Sequence, residues 1–451
     1  MFANDMRGFS ANLDALRDFV DLIDPILSGR TKAAITEQKN HLLPLVFALR
    51  QADPDEFSEV NIPDAERELL QKQVEYEVKT SPDGKKKTVS IKIDSMGDFD
   101  PDKLVGALNE IRLNQTRSRL LLSSSLISLV SSVEWFVSRL LHVYFVKYPQ
   151  IAISDDKVFS FEDLTHFSTV EEARKYLIER RVEDILRGSI SDWIKYFRGP
   201  LKLSMSYLDP CMDLLVETCE RRNLLVHNNG VVNNIYLSKV SPKLVADVKP
   251  GNHIPITREY LDQRITLFER CCILISAEMW KQSAPAEEKR GAVIVNLAFD
   301  HMKANRWEVS EGLSYFLMND KKLPDRDIML GKMNYWLSAK RQGRWDEVKV
   351  QAEAEDMTAR DRLFQLACMS LCEKKDDFFR LLPSALKAKD VDADSLQSFP
   401  IFDEMRGDAR FTKAVTRTTK KPKGKSMHKR GPVQARAAKT RLPDSQRKQE
   451  R

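Results

Sequence analysis

The chain has 451 residues, 42% of them hydrophobic and 31% charged, which suits two or three domains with ample core and a soluble, helix-rich protein. Its net charge of +6 is unevenly placed: from Lys413 to Arg451 there are 14 Lys or Arg against two acids, which leaves residues 1 to 412 with a net −6. A uniformly basic body is thereby excluded, and the positive field belongs to the C-terminal tail alone.

Met1 to Ser28 mixes Asp, Arg and Asn with its apolar residues, so no secretory signal is expected there. The most apolar run, Leu120 to Val133, is Ser-rich and uncharged for only 14 residues, short of the roughly 20 that a membrane span needs. No membrane association is expected. Cys211, Cys219, Cys271, Cys272, Cys368 and Cys372 include no Cys-x-x-Cys pair. They read as reduced core thiols of a cytoplasmic protein rather than disulfides or metal ligands.

Residues 1 to 112 predict a mainly helical region, with helices at Leu13–Ile26, Thr31–Arg50 and Pro63–Gln73. Val74–Val78 and Val89–Ile93 alternate apolar and polar residues on either side of Ser81-Pro82-Asp83-Gly84, the pattern of a β-hairpin. The Lys85-Lys86-Lys87 run fits either a phosphate contact or a solvated hairpin tip. Residues 113 to 283 predict a helical bundle: a long helix at Leu113–Tyr148, then Val170–Leu186, Ser191–Phe197, Cys211–Asn229 and Thr257–Lys281. Between the last two, Val231–Ile256 reads as a loop with extended pieces such as Asn234-Ile235-Tyr236-Leu237.

From residue 287 to 411 the helices shorten. Trp307, Trp345 and Phe378 each sit near a turn between two amphipathic helices and are spaced by 38 and 33 residues. The spacing is similar to that of tetratricopeptide repeats, whose helix pairs stack because no pair buries its own apolar face. Such an array implies a surface for a protein partner, a rigid spacer or a dimer arm. Residues 412 to 451 are rich in Lys and Arg and poor in large apolar residues, so a disordered basic tail is expected. It would bind nucleic acid non-specifically and without stacking, since it holds no aromatic residue after Phe411.

The chemistry concentrates in Glu220-Arg221-Arg222-Asn223-Leu224-Leu225-Val226-His227-Asn228-Asn229-Gly230. On a helix from Cys211 to Asn229, Cys211, Leu214, Leu215, Thr218, Cys219, Leu225 and Val226 form an apolar stripe, and Arg222 falls inside it. A guanidinium there needs a partner or a route to water. Glu134, in the bundle's first helix, is the candidate partner. Asn223 and His227 stand four apart on a neighbouring face. Asn228-Asn229-Gly230 should stop the helix, with Gly230 left-handed, placing His227 in an accessible last turn.

Arg222-Asn223-Leu224-Leu225-Val226-His227 resembles the catalytic motif of HEPN (higher eukaryotes and prokaryotes nucleotide-binding) domains, an Arg followed by a polar residue and, four to six residues after the Arg, a His. Ser189-Ile190-Ser191-Asp192-Trp193-Ile194-Lys195-Tyr196-Phe197 is similar to the segment before the motif helix in that family. The resemblance covers about 170 residues and implies an all-α fold with a HEPN-like bundle. It implies a metal-independent endoribonuclease without cofactor, a toxin or phage-defence effector. Arg222, Asn223 and His227 would be catalytic, with Glu134 and Arg221 in support. His would move protons between the 2′-hydroxyl and the leaving 5′-oxygen while Arg holds the phosphate. One Arg and one His per chain is half a set, so the resemblance implies a homodimer that joins two motifs over an RNA substrate. Two other readings stay open: a non-catalytic scaffold binding protein or nucleotide, with Arg222 in a structural ion pair, and a DNA-binding protein that works through its tail.

Overall fold

The computed structural model describes residues 1–37, 39–52, 62–80, 87–93, 100–152 and 166–419. It is 78% helical, with a two-stranded sheet as its β component, in agreement with the all-α expectation. Two compact units divide it, Met1–Asp356 and Met357–Arg451.

The first unit is built on a pair of long helices. α1 (Phe2–Glu37) buries Leu13, Val20, Leu27 and Ala34, and α4 (Pro101–Lys147) buries Ala107, Asn114 and Leu121. Both series recur every seven residues, the period that keeps two helices in register along a shared seam. Phe9 of α1 stacks on Phe136 of α4 with ring centroids 4.3 Å apart. Both rings are wholly buried, and each contributes roughly 2 to 3 kcal/mol of apolar burial. Asp100 starts α4 by accepting the backbone N–H groups of Asp102 and Lys103. Within residues 1–112, α1 shares one core with the bundle, while Phe47, Ile62, Leu70 and Val74 form a smaller cluster of their own.

The helix expected at Leu113–Tyr148 starts at Pro101. α4 is, among the described residues, the one helix long and apolar enough to cross a membrane by length and composition, and half of its most apolar stretch is buried inside the protein. Between α1 and α4 lie α2 (Lys39–Ala52), α3 (Asp64–Gln73) and an antiparallel hairpin of β1 (Val74–Thr80) and β2 (Lys87–Ile93), in the register Val74 to Ile93 and Val78 to Val89. The expected strands are present. The turn at 81–86, with Lys85 and Lys86, lies outside the described residues.

Around α4 pack α6 (Val170–Leu186), α7 (Ile190–Arg198), α8 (Met212–Asn228) and α10 (Arg258–Ser283), following a single short turn, α5 (Pro149–Ala152). α10 is the central helix, buried along the stripe Leu261, Ile265, Phe268, Cys272, Ile275 and Met279 and on other faces through Leu267, Cys271 and Leu274. The segment Asn234–Leu237 is not extended: α9 (Asn234–Lys239) is a short helix whose cap, Asn233, accepts the Tyr236 N–H at 2.9 Å.

α11 (Lys289–Lys303), α12 (Trp307–Asn319), α13 (Asp325–Arg341) and α14 (Trp345–Ala354) complete the first unit. Gly331 lets α13 close on α12, since a Cβ there would lie 2.7 Å from the Leu317 Cβ. The second unit pairs α15 (Arg362–Leu371) with α16 (Lys375–Ala388), followed by α17 (Ala393–Ser398), α18 (Asp403–Arg406) and α19 (Ala409–Thr419). Three helix-to-helix turns share one geometry. Asn305, Gly343 and Glu373 take left-handed φ values of 57°, 76° and 57°, and the next residue's N–H reaches back five residues, to His301, Ala339 and Met369. α19 continues in helix to Thr419, so the stretch from Thr412 begins ordered, against the expectation of disorder. Residues 420–451 lie outside the described residues.

Candidate functional site

The motif helix enters through a 3-10 turn at Ser206–Cys211 and leaves through a paired left-handed stop. Asn229 has φ 49° and Gly230 φ 76°, and the Asn229 and Gly230 N–H groups both return to the Leu224 carbonyl. This closes the C-terminus as the Asn-Asn-Gly run predicts, with Asn229 sharing the role foreseen for Gly230.

Arg222 lies where the stripe placed it and has the partner expected for it. Its Nη2 donates to Glu134 on α4, and the two side chains are 21% and 38% exposed. Its Nε is buried without a hydrogen-bond acceptor. Both residues line a cleft of about 470 Å³ with Asn223, Arg187, Ser189 and Lys239. Asn223 donates to Glu220 at 3.4 Å, and Lys239 donates to the same carboxylate at 3.1 Å. Burial pushes the Cys219 thiol on the cleft wall up to about 12, against the pull of the Arg222 charge. A neutral thiol adds no negative charge to the cleft.

His227 is exposed on the last turn of α8 and does not line this cleft. The chain thus brings Arg222, Asn223 and Glu134 to one cleft, which His227, a turn further along α8, does not line. Arg221 also faces elsewhere: its Nε donates to Glu217 at 2.6 Å, its Nη1 to the Pro255 carbonyl at 3.1 Å, and its guanidinium lies 4.0 Å from the Tyr260 ring centre. It belongs to a buried polar cluster in which Glu217, 2% exposed, also accepts from the Tyr236 and Tyr260 hydroxyls at 2.9 and 2.7 Å. That cluster locks α8 to α9 and α10.

Arg187 and Lys239 are cleft residues that the sequence did not single out, and Ser189 and Glu220 stood in the quoted segments without a role. Ser189 caps α7 in a reciprocal box with Asp192, accepting the Asp192 N–H at 3.3 Å while its own N–H donates to the Asp192 carboxylate at 3.0 Å. A Ser three residues before an acid was the available signal for the cap. Lys239 had none, because its segment read as extended. Among the described residues no three His, Cys, Asp or Glu side chains gather to hold a metal ion. No family model, curated protein or solved structure matches the chain, so geometry and motif carry the functional reading.

Proposed function

We propose that the protein is a metal-independent endoribonuclease whose site is completed by a second copy, with Arg222 and Asn223 holding the scissile phosphate and His227 moving the proton. The supporting observation is Arg222 itself: it is half-buried at a cleft wall, with a buried and unsatisfied Nε beside Asn223. A phosphate in the cleft would take the accessible edge of this partly exposed guanidinium, whose planar fork suits it better than a point charge. The cleft volume lies within the range of nucleotide-sized ligand sites. His227 stands one turn beyond on an exposed helix end, with Val226 beside it 49% exposed and Trp135, next to Glu134, 53% exposed. Apolar side chains left in solvent around a half-set of catalytic groups fit a two-fold interface that brings the imidazole of one copy to the Arg222 cleft of the other. The toxin or defence role follows from the family resemblance alone, and the cytoplasmic location from reading the six cysteines as reduced core thiols.

RNA cleavage in EDTA tests this reading. Wild type should cut, His227→Ala should lose at least about 100-fold, as removal of a general acid or base does, and Arg222→Ala should lose a similar factor with its fold retained. Undiminished cleavage by both variants would sink the assignment. The Arg222 to Glu134 pair also favours a second reading, a non-catalytic scaffold in which that pair is structural. It predicts instead that Arg222→Ala melts early and that wild type cuts nothing.

A further inference from the structure

Cys211 and Cys271 meet in the core beside the start of the motif helix. Their sulfur atoms are 3.6 Å apart, at 3% and 2% exposure. A disulfide needs about 2.05 Å between sulfurs, so an approach of about 1.5 Å closes the gap. The two positions are 60 residues apart, one at the N-terminal boundary of α8 and one inside α10.

Their surroundings are unequal. The Cys271 thiol as hydrogen-bond partner and the Arg270 guanidinium both favour the Cys211 thiolate, which lowers that group from the usual thiol range, while the same hydrogen bond and burial hold Cys271 protonated. One sulfur is disposed to attack and its neighbour to resolve. A cleft of about 820 Å³ lined by Pro210 and Arg270, the chain neighbours of the two cysteines, lies beside the pair, and a small opening at either neighbour would admit peroxide. The other two bundle thiols differ: burial pushes Cys219 up to about 12 and raises Cys272 as well.

We infer that Cys211 and Cys271 form a peroxide-oxidisable dithiol that closes to a disulfide and ties the first turn of α8 to α10. The Cys211 thiolate attacks one oxygen of hydrogen peroxide, the O–O bond breaks, and hydroxide leaves to be protonated to water. The Cys271 sulfur then attacks the resulting sulfenic sulfur, the S–O bond breaks, and the hydroxyl departs with the Cys271 proton as a second water. Two thiols and one peroxide give one disulfide and two waters, the thiols losing two electrons. This chemistry is independent of the ribonuclease reading.

The experiment treats the folded, full-length wild-type protein with hydrogen peroxide, alkylates the remaining thiols after denaturation, and maps the cysteines by mass spectrometry without reduction. A peptide pair joined through Cys211 and Cys271 should accumulate while Cys219 and Cys272 stay alkylated. Arg270→Gln should slow its formation several-fold, and Cys211→Ser should abolish it and leave Cys271 alkylated. The proposal is overturned if Cys211 and Cys271 remain free at a dose that oxidises the partly exposed Cys368 or Cys372. It is equally overturned if the wild-type links join Cys211 or Cys271 to other cysteines. The wild-type map decides the matter even where a variant fails to fold.

Discussion

Arg222 and Arg221 are chain neighbours with opposite duties, and helix geometry separates them. A step of about 100° along α8 carries one guanidinium into the cleft and the other onto the Tyr260 ring. Glu217 decides which of the two is structural. It is a buried carboxylate with three donors within 3 Å, and deleting one member of such a set leaves buried partners unpaired, at a cost of about 3 to 5 kcal/mol. Glu134, over a third exposed, can rehydrate its partner, and an exposed pair of that kind contributes about 1 kcal/mol or less. Glu217→Ala should therefore lower the midpoint of chemical denaturation strongly and Glu134→Ala hardly at all. A large loss in Glu134→Ala would transfer the Arg222 pair to the fold and weaken the catalytic reading.

At the scale of elements, the end of α8 sets where His227 is held. Gly230 sits at φ 76°, and a Cβ there would come within 3.3 Å of the Leu225 side chain. Gly230→Ala should cost about 1 to 2 kcal/mol from the left-handed backbone alone and fray the last turn. Circular dichroism should show an intact fold, while RNA cleavage should fall by more than the stability loss explains; unchanged cleavage would separate His227 placement from this stop. The helix and its stop were legible because spacing and an Asn-Asn-Gly run are local signals. The buried acidic face was not: Glu217 and Glu220 count as polar in any periodicity, and their burial depends on Tyr236, Tyr260 and Lys239, up to 43 residues away. α9 was hidden for a similar reason, since Tyr236 suits a strand until its hydroxyl finds Glu217. The union of α1 with the bundle was hidden by distance, because its seven-residue seam needs α4, which starts at Pro101.

At the scale of the first unit, one buried charge cluster joins α1, the bundle and the helices that follow it. Glu269 of α10, fully buried, accepts Arg17 of α1 at 2.7 Å and has Arg306, ahead of α12, at 3.8 Å. Arg306 also pairs with Asp14 of α1. His301 of α11 lies 3.9 Å from Glu269, with both ring nitrogens buried and unsatisfied. Burial first and the Arg306 charge second lower its pKa to about 4. The unfolded chain, with an ordinary His near 6.5, binds this proton more readily than the native state. The neutral His301 thus supports the fold fully above pH 6.5, and that support drains as pH falls from 6.5 toward 4, at up to about 1.4 kcal/mol per unit. Urea midpoints for wild type should hold steady from pH 8 to 7 and decline between 6.5 and 5, ahead of general carboxylate titration. His301→Leu removes the titrating group, so its midpoints should run nearly level across that interval, whatever their absolute value. If the variant declines as steeply as wild type, another group drives the acid loss and His301 is not the link between acidity and the cohesion of α1, α10 and α11.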